Sequence, residues 1–322
     1  MIEHSLPVRY SIVCLSALEH LIGTLYGWTN VRCQLIKGTM RDVYEVWADQ
    51  EHAVFCLYRQ GERSKSEIEA ELEITRHLHK HQFSVPMPIH LQSGDVVFSL
   101  HQPEGVRYGV MITFMSGKPI GRKFNSEVGG FVGRFLASAH HALSRLTAPL
   151  DRPILDLRTE LTAAIDAVQD ATPYRQNDVE HLRLASNTLL QKIPLTPQTS
   201  PYGLIHGDII PSNILIDADG LTLLDFDLCM YGWQLYDVAS MLVEIAYWEM
   251  GTAVEEAFLR SYQGERPLTE LEWVVLPMLQ SVRCILSLGT PARHIDTWGR
   301  VYFSDAIIDK QLALLKQTLS VL

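Results

Sequence analysis

Short apolar runs separated by turn residues fill the first third of the chain, which is the pattern of β-strands in a sheet. The pattern predicts helices at residues 15–26 and 64–80. Strands are predicted within residues 31–47, where a turn at residues 37–40 joins two of them, and at residues 52–59, 96–100 and 108–114. These elements predict a five-stranded sheet that carries the helix at residues 64–80, with the first helix preceding it.

The pattern becomes helical after Ser116-Gly117, which we take as a domain boundary. Helices are predicted at residues 128–146, 155–168 and 179–190, and from about residue 235 onwards. A hairpin interrupts them, with strands at residues 214–216 and 221–224 on either side of the turn residues Asp217 to Gly220. The chain is therefore predicted to be α+β, with a smaller domain at residues 1–115 and a larger, mainly helical domain at residues 116–322.

The polar residues around that hairpin have the spacing that phosphoryl transfer requires. The segment His206-Gly207-Asp208 is followed by Asn213, and Asp225 comes directly after the hairpin. Transfer of a phosphoryl group needs a carboxylate that orients the acceptor hydroxyl and accepts its proton, and oxygen ligands that hold Mg²⁺ on the phosphates. A tight hairpin brings Asn213 and Asp225 to the same end of a two-stranded ribbon, so two hard oxygen ligands converge there.

This segment resembles the loop of the aminoglycoside phosphotransferase and choline kinase family, whose pattern is HGDxxxxN followed by a short hairpin and an aspartate. The resemblance implies a protein-kinase-like bilobal fold, with a small antiparallel β-sheet lobe and a larger helical lobe. It makes Asp208 the catalytic base and makes Asn213 and Asp225 the metal ligands. The cofactors implied are ATP and Mg²⁺.

The resemblance extends to residues that support the loop. His206 corresponds to a structural histidine, and Gly207 allows a tight backbone turn. The stretch from Gly232 to Ala239 is similar to the family segment in which an aspartate opens the next helix and braces the catalytic loop. Asp237 takes that role.

The family's nucleotide-binding strands match the chain less closely. Gly38 lies where the family has its nucleotide-covering turn, and Val54 occupies the position of the small residue above the adenine. Cys56 stands where the family places a lysine or arginine that reaches the phosphates, and it could equally be a small buried strand residue. The helix carboxylate that pairs with that cation would be Glu71, or Glu67 one turn earlier, and Glu71 is then expected to lack its usual partner. Nucleotide affinity should be modest unless Lys37, Arg41 or Arg59 compensates for the missing cation.

The run that ends in Phe114 and Met115 resembles the family's hinge, where the backbone and apolar side chains hold adenine. An ordinary core strand that leads into a loop is the alternative interpretation of this run.

Composition and charge restrict the partners. A net charge of −10 disfavours nucleic acid, whose binding rests on clustered lysine and arginine, and favours a cationic acceptor. Acidic side chains that could line an acceptor pocket, against the alternative of a solvated helix face, are Glu244, Glu249, Glu255 and Glu256. The five scattered cysteines form no metal or redox pair, which predicts reduced thiols in the cytoplasm. Neither a secretion signal nor a membrane-spanning segment is predicted.

We therefore predict an ATP-dependent kinase that phosphorylates a hydroxyl of a small metabolite or antibiotic, with or without an amine. The alternatives are a protein Ser/Thr kinase or a homoserine-type kinase of the same fold, or a catalytically weak nucleotide-binding module, which Cys56 suggests. The sequence leaves the oligomeric state open, as it does the choice between ATP and GTP.

Overall fold

The computed structural model describes residues 6–121 and 124–321. This part of the chain forms two compact units. The first unit comprises the residues up to Lys80 together with Val85–Ser116, and the second comprises His81–Ser84 and the residues from Gly117 onwards.

The first unit is built on a six-stranded antiparallel sheet. Its order is β1-β2-β3-β6-β4, and β5 also pairs with β6. In chain order the elements are α1 (Leu15–Tyr26), β1 (Arg32–Gly38), β2 (Arg41–Trp47), β3 (His52–Tyr58), α2 (Lys65–Lys80), β4 (Pro88–Ile89), β5 (Val97–Gln102) and β6 (Gly105–Thr113).

Strand β3 supplies side chains to two separate apolar clusters, because successive side chains of a strand point to opposite faces of the sheet. Phe55 belongs to a cluster with Leu18 and Ile22 of α1. Cys56 belongs to a cluster with Ile68 and Leu72 of α2. The sheet therefore carries one helix on each face, and both faces of β3 are covered.

The predicted five-stranded sheet is wrong by one strand. Pro88 and Ile89 pair with Ile112 and Met111 of β6, at the edge of the sheet. A proline has no N–H to donate to a neighbouring strand, and an edge position does not require one. Two residues are also too few to show strand periodicity, so the sequence indicated only the end of a helix there.

The second unit is mainly helical. In chain order its elements are β7 (Lys118–Pro119), α3 (Ser126–Leu143), α4 (Leu157–Ala171), α5 (Gln176–Lys192), β8 (Tyr202–Ile205), β9 (Ile214–Asp217), β10 (Gly220–Leu223), β11 (Met230–Trp233), α6 (Gln234–Tyr247), α7 (Thr252–Glu265), α8 (Glu270–Arg293), α9 (Ile295–Trp298) and α10 (Asp305–Leu319). The helices predicted at residues 128–146, 155–168 and 179–190 correspond to α3, α4 and α5, with ends that differ by two or three residues.

The centre of this unit is the long helix α8, which packs against α4, α6 and α10. Within the described residues, α8 is the one helix long and apolar enough to cross a membrane by length and composition alone. The protein buries 56% of its most apolar window, as is usual for the core helix of a globular unit. Arg283 lies within this helix and is itself buried.

Two small sheets in the second unit hold the loops that carry the predicted chemistry. Strand β9 pairs with β10 and with β7, and β8 pairs with β11. The first of these is the predicted hairpin. Strands β7 and β11, of two and four residues, were not predicted.

Candidate active site

The loop that begins at His206 is held by one buried carboxylate. Asp237, in the first turn of α6, is 0% exposed. One of its oxygens accepts the backbone N–H of His206 at 2.8 Å, and the other accepts the backbone N–H of Gly207 at 2.8 Å. Because the two donors are consecutive, the backbone that leads into Asp208 has a fixed direction.

His140 of α3 completes the environment of Asp237. Its Nε2 donates to the Asp237 carboxylate at 3.0 Å, and its Nδ1 accepts from the Tyr262 hydroxyl at 2.9 Å, the arrangement of a neutral imidazole. Burial lowers the pKa of His140, although Asp237 opposes this shift. Burial alone would raise the pKa of Asp237, but the hydrogen bond from His140 and the nearby His206 hold it below its usual value. The pair is therefore a carboxylate beside a neutral histidine, and sequence analysis did not find His140.

Gly207 is required by both conformation and space. Its φ is 79°, in the left-handed region that favours glycine. A Cβ at this position would lie 2.2 Å from the carbonyl oxygen of Leu228. The neighbouring His206 ring accepts the Asp208 backbone N–H through Nδ1 at 3.3 Å and donates through Nε2 to the Leu224 carbonyl at 2.9 Å. His206 thus ties the loop to the residue that precedes Asp225.

The carboxylate of Asp208 is held from two sides. Asn213 donates through Nδ2 to Asp208 Oδ2 at 3.1 Å and to the Asp208 carbonyl at 3.0 Å. Arg283 of α8 donates through Nη2 to Oδ1 at 2.7 Å. The Asp208 side chain is still 21% exposed, so the carboxylate can be reached. Sequence analysis missed Arg283, because nothing local marks one arginine of an apolar helix as a partner of a residue 75 positions away.

Asn213 and Asp225 lie at the same end of the β9–β10 hairpin. Ile214 pairs with Leu223, and the Leu224 N–H donates to the Asn213 carbonyl at 2.8 Å. Both side-chain hydrogen bonds of Asn213 use its nitrogen, which leaves the amide oxygen as the group that could bind a metal. Asp225 has a φ of 61°, and such conformations of residues other than glycine cluster at functional sites.

These two residues suit Mg²⁺ better than a metal that needs a full protein cage. Residues 6–121 and 124–321 contain no group of three or more His, Cys, Asp or Glu side chains that could hold a metal ion. Mg²⁺ is commonly bound through one or two carboxylates together with substrate phosphates and water. One carboxylate and one amide oxygen fit that pattern.

Arg152 stabilises the segment that follows Asp225. Its buried guanidinium donates to the carbonyls of Phe226, Asp227 and Cys229, the first at 3.4 Å and the last at 2.7 Å. Arg152 thus supplies donors to three carbonyls of a tight turn, of which that of Phe226 also accepts the Cys229 N–H within the turn at 3.0 Å. The sequence gave no sign of this role, because Arg152 precedes α4 and lies far from the motif along the chain.

In the first unit, Glu71 lacks the lysine that the family pattern would place at Cys56 but has another cation as its partner. Arg41, the first residue of β2, donates through Nη1 to Glu71 Oε1 at 3.1 Å. The Tyr58 hydroxyl donates to Glu71 Oε2 at 2.8 Å and accepts from Arg41 at 2.8 Å. Two other arginines of the unit, Arg59 and Arg107, bind Asp42 at 3.3 and 2.6 Å.

Cys56 is 3% exposed and belongs to an apolar cluster with Tyr58 of its own strand. Val54 packs against the same cluster from two residues earlier, as the predicted alternation requires. Cys56 thus has the environment of a small core residue. The cation beside Glu71 comes from the neighbouring strand.

The remaining nucleotide-binding candidates also lie in the first unit. Gly38 ends β1, and a Cβ there would lie 3.3 Å from Asp42 Oδ1. Phe114 is 38% exposed, and its ring stacks on that of His52 with centroids 3.7 Å apart. Met115 is partly buried, and its sulfur accepts from the Thr113 hydroxyl at 3.5 Å.

Comparison with known proteins identifies the family. The sequence model of the phosphotransferase enzyme family (APH) matches residues 32–272, well over half of the chain. The chain belongs to this family. The resemblance to the aminoglycoside phosphotransferase and choline kinase family is thereby confirmed.

Three similar proteins show the range of this phosphotransferase's relatives. A homoserine kinase from Mesorhizobium japonicum is 26% identical over 273 residues, which cover 81% of this chain and 79% of that protein. The structure of a microcompartment-associated aminopropanol kinase gives a TM-score of 0.80 at 24% identity and covers 95% of this chain and 98% of its own. Amicoumacin kinase, in a complex with AMP-PNP and Ca²⁺, gives a TM-score of 0.78 at 18% identity, with 95% and 93% covered.

The structural likenesses show the fold, and the predicted protein-kinase-like α+β class is confirmed. Family membership makes the protein a phosphotransferase of the kinase type, with an alcohol group as acceptor.

We predict that His140 makes the protein less stable in mild acid. The unfolded chain binds a proton at the ordinary histidine pKa of about 6.5, whereas the buried imidazole has a lowered pKa and stays neutral. The unfolded state therefore binds more protons, and the free energy of unfolding falls as the pH decreases from about 7 to about 5, by up to about 1.4 kcal/mol per pH unit from this group. Asp237, whose pKa is lowered, contributes only at lower pH, where its unfolded form is protonated.

The measurement is urea unfolding across this pH range in wild type, His140→Gln and the control His79→Gln, a histidine exposed at the end of α2. The slope against pH should be shallower in His140→Gln alone. Equal slopes in all three proteins would contradict the assignment.

We also predict that Arg41→Met destabilises the fold through Glu71. The side chains of Arg41 and Glu71 are 11% and 9% exposed, so the substitution leaves a buried carboxylate without its cation. The free energy of unfolding should fall by about 3–5 kcal/mol, the usual cost of breaking a buried ion pair. Arg32→Met is the matched control, because that side chain is 80% exposed and its nearest carboxylate contact is 3.8 Å away. If denaturant unfolding shows the two variants equally stable, the Arg41–Glu71 pair is not structural.

Proposed function

We propose that this phosphotransferase moves the γ-phosphate of ATP to a hydroxyl of a small molecule, with Asp208 as the base and Asn213 and Asp225 as the ligands of Mg²⁺. The observation that carries the proposal is the state of Asp208: its carboxylate is oriented by Asn213 and Arg283 yet remains partly exposed. A general base must be both oriented and accessible, because the hydroxyl has to come within hydrogen-bond reach of it.

Each side chain of the loop then has a task in the reaction. Asp208 orients the acceptor hydroxyl and takes its proton as the new P–O bond forms and the bond from the γ-phosphorus to the oxygen of the leaving ADP breaks. Asn213 uses its nitrogen to hold Asp208 and offers its oxygen to the metal, while Asp225 offers a carboxylate. Mg²⁺ held by these two oxygens would offset the negative charge of the phosphates. Asp237 with His206 and Gly207 keeps the loop in the shape that these tasks need.

For the nucleotide, we propose the residues of the first unit that the family pattern indicates. Gly38 would allow the close approach of a phosphate, and Val54, Phe114 and Met115 would contact the adenine. Cys56 occupies the position of the family's cation, and Glu71 that of its carboxylate partner. The ion pair of Glu71 with Arg41 supports Arg41 as the cation that compensates for Cys56.

The names of similar proteins favour a small acceptor. Homoserine and aminopropanol, the acceptors named for two of them, both carry a hydroxyl and an amine, and only homoserine carries a carboxylate. We propose an acceptor of this size. A protein serine or threonine has less support, because the names of these kinases all specify small molecules.

The buried Cys56 favours one competing function, a nucleotide-binding module with weak or no catalysis. ATP consumption that depends on Mg²⁺ and on an added hydroxyl compound separates the two. A catalytic protein consumes ATP in step with acceptor phosphorylation, whereas a binding module retains ATP affinity without turnover.

We predict that Asp208→Asn and Asp225→Ala fail in different ways. Asp208→Asn should lower kcat by roughly 10²–10⁴, the usual contribution of a positioned general base, with little change in ATP affinity. Asp225→Ala should weaken the binding of Mg·ATP but not that of metal-free adenosine, because the carboxylate that holds the metal is lost.

Steady-state kinetics and calorimetry measure the two effects, and Asp219→Asn serves as the control. Asp219 lies in the exposed hairpin turn at the other end of the ribbon. Undiminished turnover in Asp208→Asn would remove Asp208 as the base, and unchanged Mg·ATP affinity in Asp225→Ala would remove Asp225 as a ligand.

A further inference from the structure

Arg283 is a buried cation in the middle of the apolar helix α8. Its side chain is 10% exposed, and its Nη2 donates to Asp208 Oδ1 at 2.7 Å. A guanidinium has five N–H groups, of which one donates to Asp208 and another to the Tyr236 hydroxyl. The Nε is buried and has no hydrogen-bond partner in the described part of the chain. Arg283 therefore has more donor capacity than its contact with Asp208 requires.

The two oxygens of Asp208 face different neighbours. Oδ2 receives Asn213, whose own amide oxygen is the candidate metal ligand, and Oδ1 receives Arg283. If Asn213 holds Mg²⁺ as proposed, the metal and the phosphates would lie nearer Oδ2 than Oδ1. Arg283 contacts Oδ1, so an acceptor hydroxyl that meets the carboxylate there would have its neighbouring atoms close to this guanidinium.

The guanidinium stays charged there. Burial acts to lower the pKa of Arg283, but the carboxylate of Asp208 and the nearby Tyr236 and Glu244 more than offset this and keep it above its usual value. A planar guanidinium is well matched to a carboxylate, because it can donate two parallel hydrogen bonds. In a partly desolvated position, such a bond also selects strongly against a neutral or positive group.

We propose that Arg283 binds a carboxylate of the acceptor, so that the substrate of this phosphotransferase is a small hydroxy acid or hydroxy amino acid. This inference rests on the proposed function, because it assumes that the acceptor hydroxyl meets Asp208. It revises the cationic acceptor expected from the net charge. A net charge acts at long range and is screened within about 8–10 Å by salt, whereas Arg283 would act by direct contact.

The rival arrangement is recognition of an ammonium group by Glu244. This residue is partly buried on α6, and it accepts from Trp248 Nε1 at 3.0 Å. Tyr236 and Glu244 are eight positions apart on α6, close to two helical turns, so they share the face whose charges act on Arg283. Glu244→Gln is therefore a matched control for Arg283→Gln, because each substitution removes one charge and the two side chains interact electrostatically.

Three acceptors of similar length separate the possibilities. They are 4-hydroxybutanoate, which has a carboxylate and no amine, 3-aminopropan-1-ol, which has an amine and no carboxylate, and homoserine, which has both. The enzyme with Mg·ATP should have a higher kcat/KM for the two carboxylates than for the amino alcohol. In Arg283→Gln the ratio of 4-hydroxybutanoate to 3-aminopropan-1-ol should fall on the order of 10- to 100-fold, mainly through KM, as when a charge-assisted hydrogen bond is lost. Glu244→Gln should leave that ratio nearly unchanged.

The ratio of the two kcat/KM values shows whether Arg283 binds the acceptor carboxylate or only positions Asp208. A displaced Asp208 slows every acceptor equally and leaves the ratio unchanged. Equal losses on all three acceptors in Arg283→Gln would overturn the inference, as would a ratio that changes only in Glu244→Gln. If Arg283→Gln does not fold, the wild-type panel decides: an amino alcohol used as well as the carboxylates, or no transfer to either carboxylate, overturns it. Transfer to 3-aminopropan-1-ol alone would reject this inference and leave the proposed function standing. The proposed function is judged by its own Asp208→Asn test.

Discussion

The loop chemistry of this phosphotransferase depends on the burial of one charge, the carboxylate of Asp237. An isolated charge is very costly to bury, but this one accepts two backbone N–H groups and the N–H of His140. It also lies in the first turn of α6, where the helix dipole favours a negative group. Two of these donors are consecutive residues of the loop. The same hydrogen bonds that stabilise the buried charge therefore also fix the direction of the chain that leads into Asp208.

Short contacts connect Asp237 to the hairpin end that carries Asn213 and Asp225. His206, whose N–H binds Asp237, also binds the Leu224 carbonyl through its ring, and Leu224 in turn binds the Asn213 carbonyl. The residue after Leu224 is Asp225, in a left-handed conformation that costs free energy unless its surroundings fix it. Arg152 supplies part of that fixation by binding carbonyls of the next residues. Two loops far apart in sequence are therefore shaped together.

The features that could be predicted from the sequence are those that a short stretch of residues specifies by itself. The helix at residues 15–26, the β9–β10 hairpin and the spacing of Asp208, Asn213 and Asp225 are visible within short windows of sequence. The buried partners were not visible, since His140 is 97 positions from Asp237 and Arg283 is 75 from Asp208. Such pairs follow from helix packing in the second unit, and no periodicity specifies which polar residue of an apolar helix will meet a loop. The shortest strands were missed for a similar reason, because they contain too few residues to repeat a pattern.

Glu71 obtains its cation from β2, although the family pattern would place that cation at Cys56 on β3. In an antiparallel sheet the residues that face a helix come from every strand on that face, and the register places Arg41 opposite Tyr58 and Val43 opposite Cys56. Arg41 is two residues before Val43, so it shares the face of Cys56 and Tyr58 that α2 covers. A buried carboxylate on the helix needs a cation within hydrogen-bond distance, and any strand on that face can provide it. Position-by-position comparison with a family finds no lysine or arginine at Cys56, whereas in the folded sheet the cation that pairs with Glu71 is Arg41, one strand away.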